Sequence, residues 1–183
     1  MKLNARQLRE VKEIEVQEKL KQIKRQPIYF ILENIYDTYN IGGLFRLADA
    51  IAAEKIYLCG ETETPPNPRI KKASIGTYKV VPWEYKRSAS EALADLRSNI
   101  KGQISKLNTI AIEQSPKAIL YTKADYSLPI AFIVGNETYG VRPETLTLAD
   151  QIVEIPMWGI NKSLNVIVSA AIVSYWAMKD IKG

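Results

Sequence analysis

An α/β fold built on a parallel sheet is the architecture this sequence predicts, and three observations carry it. Short β-branched runs alternate along the chain with stretches of helical periodicity. One of those runs, LPIAFIVGN at 128–136, is apolar on both faces, as a strand covered by helices on each side must be. The 183 residues suffice for one domain with a sizeable core and leave little for a second. We expect five or six parallel strands sandwiched between helices, with ligands bound beyond the carboxyl ends of the strands.

Taken in order, residues 4–25 place Leu8, Val11, Ile14 and Ile23 at roughly helical spacing among charges, an amphipathic helix that ends before Pro27. Residues 1–25 are therefore expected to form an N-terminal basic helix, and 26–183 the main domain. PIYFILEN at 27–34 is a β-rich run, NIGGLFRLADAIAA at 40–53 has a helix pattern and KIYLCG at 55–60 is a second strand, together a βαβ unit. ETETPPNPRIKK at 61–72 carries three prolines and predicts an exposed connection with about one helical turn, and YKVVPW at 78–83 a third strand. SASEALADLRSNI at 88–100 opens with a capping serine and holds Leu93, Leu96 and Ile100 at helical spacing. LNTIAI, KAILYT and LPIAFIVGN follow as strands, QIVEIPM at 151–157 is the last strand, and a final helix runs from Ser163. That helix is nearly wholly apolar, but at 164–178 it is shorter than the roughly 20 residues a bilayer span needs and is interrupted by Asn165, Ser169, Ser174 and Tyr175. It reads as a buried helix.

Composition excludes several chemistries. There is no histidine and one cysteine, Cys59, so histidine base catalysis, an internal disulfide and a zinc site are all ruled out, and no metal is expected. The N-terminus is charged throughout and lacks the apolar core of a secretory signal, which makes the cytoplasm the expected compartment and a membrane partner unexpected. The net charge of +5 is unevenly spread: residues 1–25 contribute +4 and residues 66–87 contribute +5, so the remainder carries −4. The second island includes Arg69, Lys71, Lys72, Lys79, Lys86 and Arg87, interleaved with Tyr78, Trp83 and Tyr85. Clustered cations beside stackable rings suit a nucleic acid, although charge alone leaves a solvated face as an equal alternative.

Three stretches carry polar chemistry. NIGGLFR at 40–46 follows the first βα junction: Asn40 can cap the helix, the two glycines open its backbone to an anion, and Arg46 lies one turn beyond Gly42 on the same face. A glycine-rich turn with a surface arginine is the bland alternative. The stretch is neither a Walker loop nor a dinucleotide fingerprint, since the Lys-Ser/Thr ending and the third glycine are missing. GNETYG at 135–140 ends the most buried strand, where Glu137 is either a functional carboxylate or a partner for a neighbouring turn or for Arg46. IPMWGINKSLN at 155–165 places Ser163 and Asn165 at the mouth of the most apolar helix; Ser163 suffices as a cap, so Asn165 needs a further reason.

The ordered set NIGGLFR, GNETYG and IPMWGINKSLNV resembles the three signature motifs of the SpoU family of RNA ribose 2′-O-methyltransferases, within the SPOUT superfamily. AIEQS at 111–115 and KKASIG at 71–76 also fit that family, while residues 1–25 have no counterpart in it. The resemblance implies a C-terminal trefoil knot that binds S-adenosylmethionine, a homodimer, and methyl transfer to a ribose 2′-hydroxyl of tRNA or rRNA, with tRNA favoured. Carried over by motif position, Asn40, Arg46, Glu137, Ser163 and Asn165 form the catalytic set. The cofactor rests on Ile112, Glu113, Gln114, Gly135, Ile155, Met157 and Leu164. Arg46 is either the base or a fixed positive charge beside the reacting hydroxyl, and the second is physically easier because guanidinium stays protonated. A catalytically silent RNA-binding dimer and an RNA base methyltransferase of the same fold are the competing readings.

Overall fold

The alternation of apolar side chains in two adjacent strands explains the layering. β1 (Gln26–Glu33) sends Ile28, Phe30 and Leu32 into one core and Ile31 into another, and β6 (Ile130–Val134) divides Phe132 from Ala131 and Ile133 in the same way. Both strands are thus covered on each face. The remaining strands are β2 (Ala53–Cys59), β3 (Trp83–Lys86), β4 (Asn108–Ile112), β5 (Ile119–Leu120) and β7 (Gln151–Glu154). All pair in parallel, in the order β3-β2-β1-β6-β4-β7-β5. The computed structural model describes residues 4–10, 23–100 and 106–179.

Helices α2 (Thr38–Ala50), α3 (Pro68–Ser74) and α6 (Val166–Ala177) cover the first face through Leu44, Phe45, Ile70, Ala170 and Val173. α4 (Ala89–Ile100) covers the second through Ala92, Leu93 and Leu96, beside the short α5 (Pro143–Leu146). Ser88 caps α4 through a bond from the Glu91 N–H, and the Glu91 carboxylate accepts the Arg87 N–H in return. No helix among the described residues is long and apolar enough to cross a membrane.

Two expectations change. YKVVPW is not a strand: Gly76 takes a left-handed φ of 97°, residues Thr77–Lys79 form a 3₁₀ turn, and pairing begins only at Trp83. Val80 and Val81 are β-branched because they are buried in the first core, not because they pair. The sheet also has seven strands where five or six were expected, and of the KAILYT run only two residues, Ile119–Leu120, pair at its edge. Of the basic helix expected over 4–25, α1 (Ala5–Glu10) is seen, and residues 11–22 lie outside the described residues. Leu8 packs against the first core, and the Arg25 guanidinium donates to the carbonyls of Ala53 at 2.8 Å and Val80 at 2.5 Å.

Candidate active site

Asp37, not Asn40, caps α2, its side chain accepting the Tyr39 N–H at 2.8 Å. Asn40, on the first turn and buried, is left with its amide for other work. Its Nδ2 donates to Glu137 Oε1 at 2.9 Å, and its Oδ1 accepts from Asn165 Nδ2 at 2.9 Å. Asn165 is itself the cap of α6, its Oδ1 accepting the Ile167 N–H at 2.8 Å, so the cap expected of Ser163 falls two residues later. The polarity of this chain follows from one end. An ionised carboxylate only accepts, so Asn40 must turn its nitrogen to Glu137; its oxygen then faces Asn165, whose own oxygen is left for the helix. Asn165 therefore does two things at once, which is why a second polar residue stands at that helix mouth.

Glu137 also accepts the backbone N–H groups of Tyr36 at 3.2 Å and Asp37 at 3.1 Å. An anion does sit at the entrance to α2, and it is the chain's own carboxylate. Partial burial pushes the Glu137 pKa up, but bonds from Asn40 and from the backbone of Glu137, Tyr36 and Asp37 outweigh it and hold the carboxyl below its ordinary value. The glycines of NIGGLFR do not open the helix to a ligand either. A Cβ on Gly42 would lie 2.4 Å from that of Ala73 on α3, and one on Gly43 would lie 2.3 Å from the Ile167 side chain on α6. Both permit close helix packing, which sets α6 against α2 and so brings Asn165 to Asn40. Arg46 is exposed and makes no hydrogen bond or ion pair with another described residue.

The GNETYG turn is a built support. Asn136, which sequence reasoning passed over, accepts the Thr138 and Tyr139 N–H groups at 2.9 and 3.0 Å and donates to the Asn34 carbonyl at 2.8 Å. A Cβ on Gly135 would come within 2.2 Å of the Gly140 and Val141 backbone, and Gly140, at φ 69°, is pressed against Glu113. The Glu113 carboxylate accepts the Val141 N–H at 2.8 Å and the Gln114 N–H at 2.9 Å, tying the end of β4 to the turn after β6.

Beyond the carboxyl ends of β4, β6 and β7 these loops enclose a cavity of about 430 Å³, within the usual range for small-molecule sites. Ile112, Glu113, Gln114, Gly135, Ile155, Met157 and Leu164 all line it, as do Glu137, Ser163 and Asn165. Gln114 closes one side by donating to the Lys162 carbonyl. Asn40 and Arg46 are not in the lining; Asn40 reaches it only through Glu137 and Asn165. Apolar side chains of Ile112, Ile155, Met157 and Leu164 beside the carboxylates of Glu137 and Glu154 suit a ligand with a flat apolar ring and a positive centre.

The basic island divides. Arg69, Lys71 and Lys72 are exposed on α3, whereas Lys86 is committed to Glu84 at 2.7 Å and Asp95 at 3.3 Å. Tyr78 and Trp83 pack on the core instead of offering open rings, whereas Tyr36, Tyr39, Tyr139 and Trp158 are exposed.

The sequence profile of the SpoU rRNA Methylase family matches residues 27–175. This chain belongs to that family. Among its relatives, the tRNA (guanosine(18)-2′-O)-methyltransferase of Escherichia coli (strain K12) is 30% identical over 161 residues, covering 86% of this chain and 66% of the relative. An AdoMet-bound rRNA methyltransferase from Sinorhizobium meliloti superposes with a TM-score of 0.76 at 25% identity, covering 90% of this chain and 61% of that one. The A. aeolicus TrmH/SpoU tRNA modifying enzyme superposes at 0.75 with 26% identity, covering 90% and 83%. This chain thus spans roughly two thirds of the length of the E. coli relative, and the SpoU match begins at the first residue of PIYFILEN.

Proposed function

We propose that this chain transfers a methyl group from S-adenosylmethionine to a ribose 2′-hydroxyl of a structured RNA, with tRNA the substrate ahead of rRNA. The observation that carries the reading is the hydrogen-bonded chain Glu137–Asn40–Asn165, set at the mouth of a cavity beyond the strand ends, with Arg46 exposed on the same helix as Asn40. The related E. coli and A. aeolicus proteins are named for tRNA and the S. meliloti structure for rRNA with AdoMet, which supports both the cofactor and the substrate class.

Bound in the cavity, the cofactor supplies an electrophilic methyl group that needs no further activation. Ile112, Glu113, Gln114, Gly135, Ile155, Met157 and Leu164, which line that cavity, are the residues that would hold it. What remains for the chain is to aim the 2′-oxygen and manage its proton. Glu137 and Asn40 fix Asn165 in one orientation, and Asn165 and Ser163 present polar groups to the ribose. Arg46, unpaired among the described residues, meets the RNA as a fixed cation that favours the alkoxide form of the hydroxyl. The chain closes as a trefoil knot and works as a homodimer. The knot is supported by the Gln114–Lys162 contact, which holds the last loop over the end of β4 while α6 packs back on β4 and β6. The dimer is supported by the open apolar side of α6.

The test is methyl transfer from labelled S-adenosylmethionine into total tRNA and total ribosomal RNA, followed by alkaline hydrolysis. Ribose methylation leaves alkali-resistant dinucleotides; base methylation leaves labelled mononucleotides, and a silent dimer leaves no label. Arg46→Ala should lose about a hundredfold in rate, whereas Arg46→Lys, which keeps the fixed charge, should recover a substantial share of it; a lysine variant as poor as alanine would instead assign Arg46 to bidentate orientation of a phosphate. Wild-type turnover in Arg46→Ala on a confirmed substrate would withdraw the assignment.

A further inference from the structure

The loop 34–37, between β1 and α2, brings the backbone of Tyr36 and Asp37 to Glu137, yet those two residues are exposed and Asn34 takes a left-handed φ of 56°. Ile35 alone of the four is sunk in a core, so the loop depends on its backbone bonds. Four successive N–H groups are held. Those of Tyr36 and Asp37 go to Glu137, that of Asn34 to the Cys59 carbonyl at 3.1 Å and that of Ile35 to Thr62 Oγ1 at 3.0 Å. The last two anchors belong to one short turn after β2, in which Thr62 is 3% exposed and ties its own N–H back to the Cys59 carbonyl at 3.3 Å. A hydroxyl has one proton to give. Thr62 gives it to the Leu32 carbonyl at 3.1 Å, which leaves its lone pairs for Ile35. Asn34 grips the same turn: its Oδ1 accepts the Glu61 N–H at 2.9 Å, and a Cβ on Gly60, itself at φ 64°, would lie 2.2 Å from that oxygen. The chemistry above uses neither side chain.

We propose that Thr62 and Asn34 are positioning residues of the methyl-transfer site, acting through the loop 34–37 to fix where the Glu137 carboxylate stands. The inference rests on the RNA methyl-transfer reading. Tyr36 and Asp37 offer one N–H to each oxygen of Glu137, a two-point hold that sets the rotation of the group as well as its place. Oε1 is thereby aimed at Asn40 Nδ2, and Asn40 Oδ1 at Asn165. Without the Thr62 hydroxyl the buried Ile35 N–H has lost its acceptor and must move to find another, and Tyr36 and Asp37, next along the chain, move with it. Without the Asn34 side chain the turn after β2 is released from the loop it braces. The displacement then passes along Glu137 and Asn40 to Asn165, where reacting geometry is sensitive to shifts on the order of 1 Å. Burial pushes the Glu137 carboxyl up, while bonds from Asn40 and from the backbone of Glu137, Tyr36 and Asp37 hold it below its ordinary value, so loosening the last two should raise it.

The test compares wild-type protein with Thr62→Val, which keeps the shape and loses the hydroxyl, Thr62→Ser, which restores it, and Asn34→Gly, which keeps the left-handed turn and loses the side chain. Each is studied below its own melting temperature in two readouts: kcat and KM on the methylated RNA, and the titration of the Glu137 side-chain carboxyl followed by carbon-13 NMR. We expect kcat to fall about tenfold or more in Thr62→Val and Asn34→Gly, with KM for RNA near that of wild type, and the Glu137 carboxyl to titrate at higher pH in both. Thr62→Ser should return both readouts toward wild type. A residue with a purely structural role would lower the melting temperature and move neither readout. Folded Thr62→Val with wild-type kcat and an unmoved Glu137 therefore overturns the proposal and leaves the functional reading standing. A fall in kcat without movement of Glu137, or movement without a fall, overturns it as well. If Thr62→Val does not fold, Asn34→Gly decides by the same outcomes. If the wild type methylates neither tRNA nor rRNA, the functional reading fails, and the Glu137 titration decides alone: a rise in Thr62→Val that Thr62→Ser reverses sustains the positioning role, and no rise overturns it.

Discussion

Glu137 gathers the bonds that fix the site, and its ionisation should be visible in stability. Its folded pKa lies below the unfolded value, which is about 4.3. Its contribution is therefore full above that value and is lost as pH falls through the folded one. Glu84, Asp95 and Asp150 are shifted the same way, so the informative quantity is the difference between wild type and Glu137→Gln. The amide keeps the shape but turns a donor toward one of the N–H groups of Tyr36, Asp37 or Asn40, at a cost of about 1–3 kcal/mol. Thermal melts from pH 7 to pH 3 should show the variant less stable at neutral pH, with the gap narrowing as acid removes the wild-type charge. A constant gap across that range would mean that the carboxylate is not the group that matters.

At the scale of elements, α6 owes its start and its position to Asn165, and two substitutions separate those roles. Asn165→Ala loses the cap and the bond to Asn40, and should cost about 1 kcal/mol or more in stability. Asn165→Asp keeps a capping oxygen but sets it against Asn40 Oδ1, which is committed because Asn40 Nδ2 belongs to Glu137. It should melt closer to wild type while transferring methyl groups as poorly as the alanine variant; wild-type turnover in Asn165→Asp would detach the amide from function. The elements themselves were largely legible: LPIAFIVGN and PIYFILEN are apolar in both alternating sets, and that pattern alone places them at the centre of a parallel sheet. Val80 and Val81 misled because a buried β-branched pair has the same signature whether or not it pairs. The three motifs located Asn40, Glu137 and Asn165, but not their bonds. Those bonds span about a hundred residues of chain, 97 from Asn40 to Glu137 and 125 from Asn40 to Asn165, and no local spacing encodes them. Asp37 was readable as a cap, lying just ahead of the helix pattern, and seeing it would have freed Asn40 for its true role.

For the whole molecule, the unbalanced surface is that of α6 and the loop before it. Of the twelve residues in VIVSAAIVSYWA only Ala170, Val173 and Ser174 are buried, although a helix this apolar is ordinarily covered on all sides. Val168 and Tyr175 are 44% and 56% exposed, and Trp158 and Ile160 stand almost wholly in solvent at 91% and 103%. Apolar surface grouped in this way marks an interface, and its position beside Ser163 and Asn165 means that a partner would close over the open side of the site. A second copy of the chain is the occupant we expect, so sedimentation should give about twice 20.7 kDa at micromolar concentration. Val168→Asp and Tyr175→Glu place charges on exposed positions that make no hydrogen bond within the described chain, so the protomer should still fold while the mass falls toward that of one chain. Methyl transfer should fall with it if the partner completes the site. A wild type that sediments as a monomer, or charged variants that remain dimeric, would move the interface away from α6.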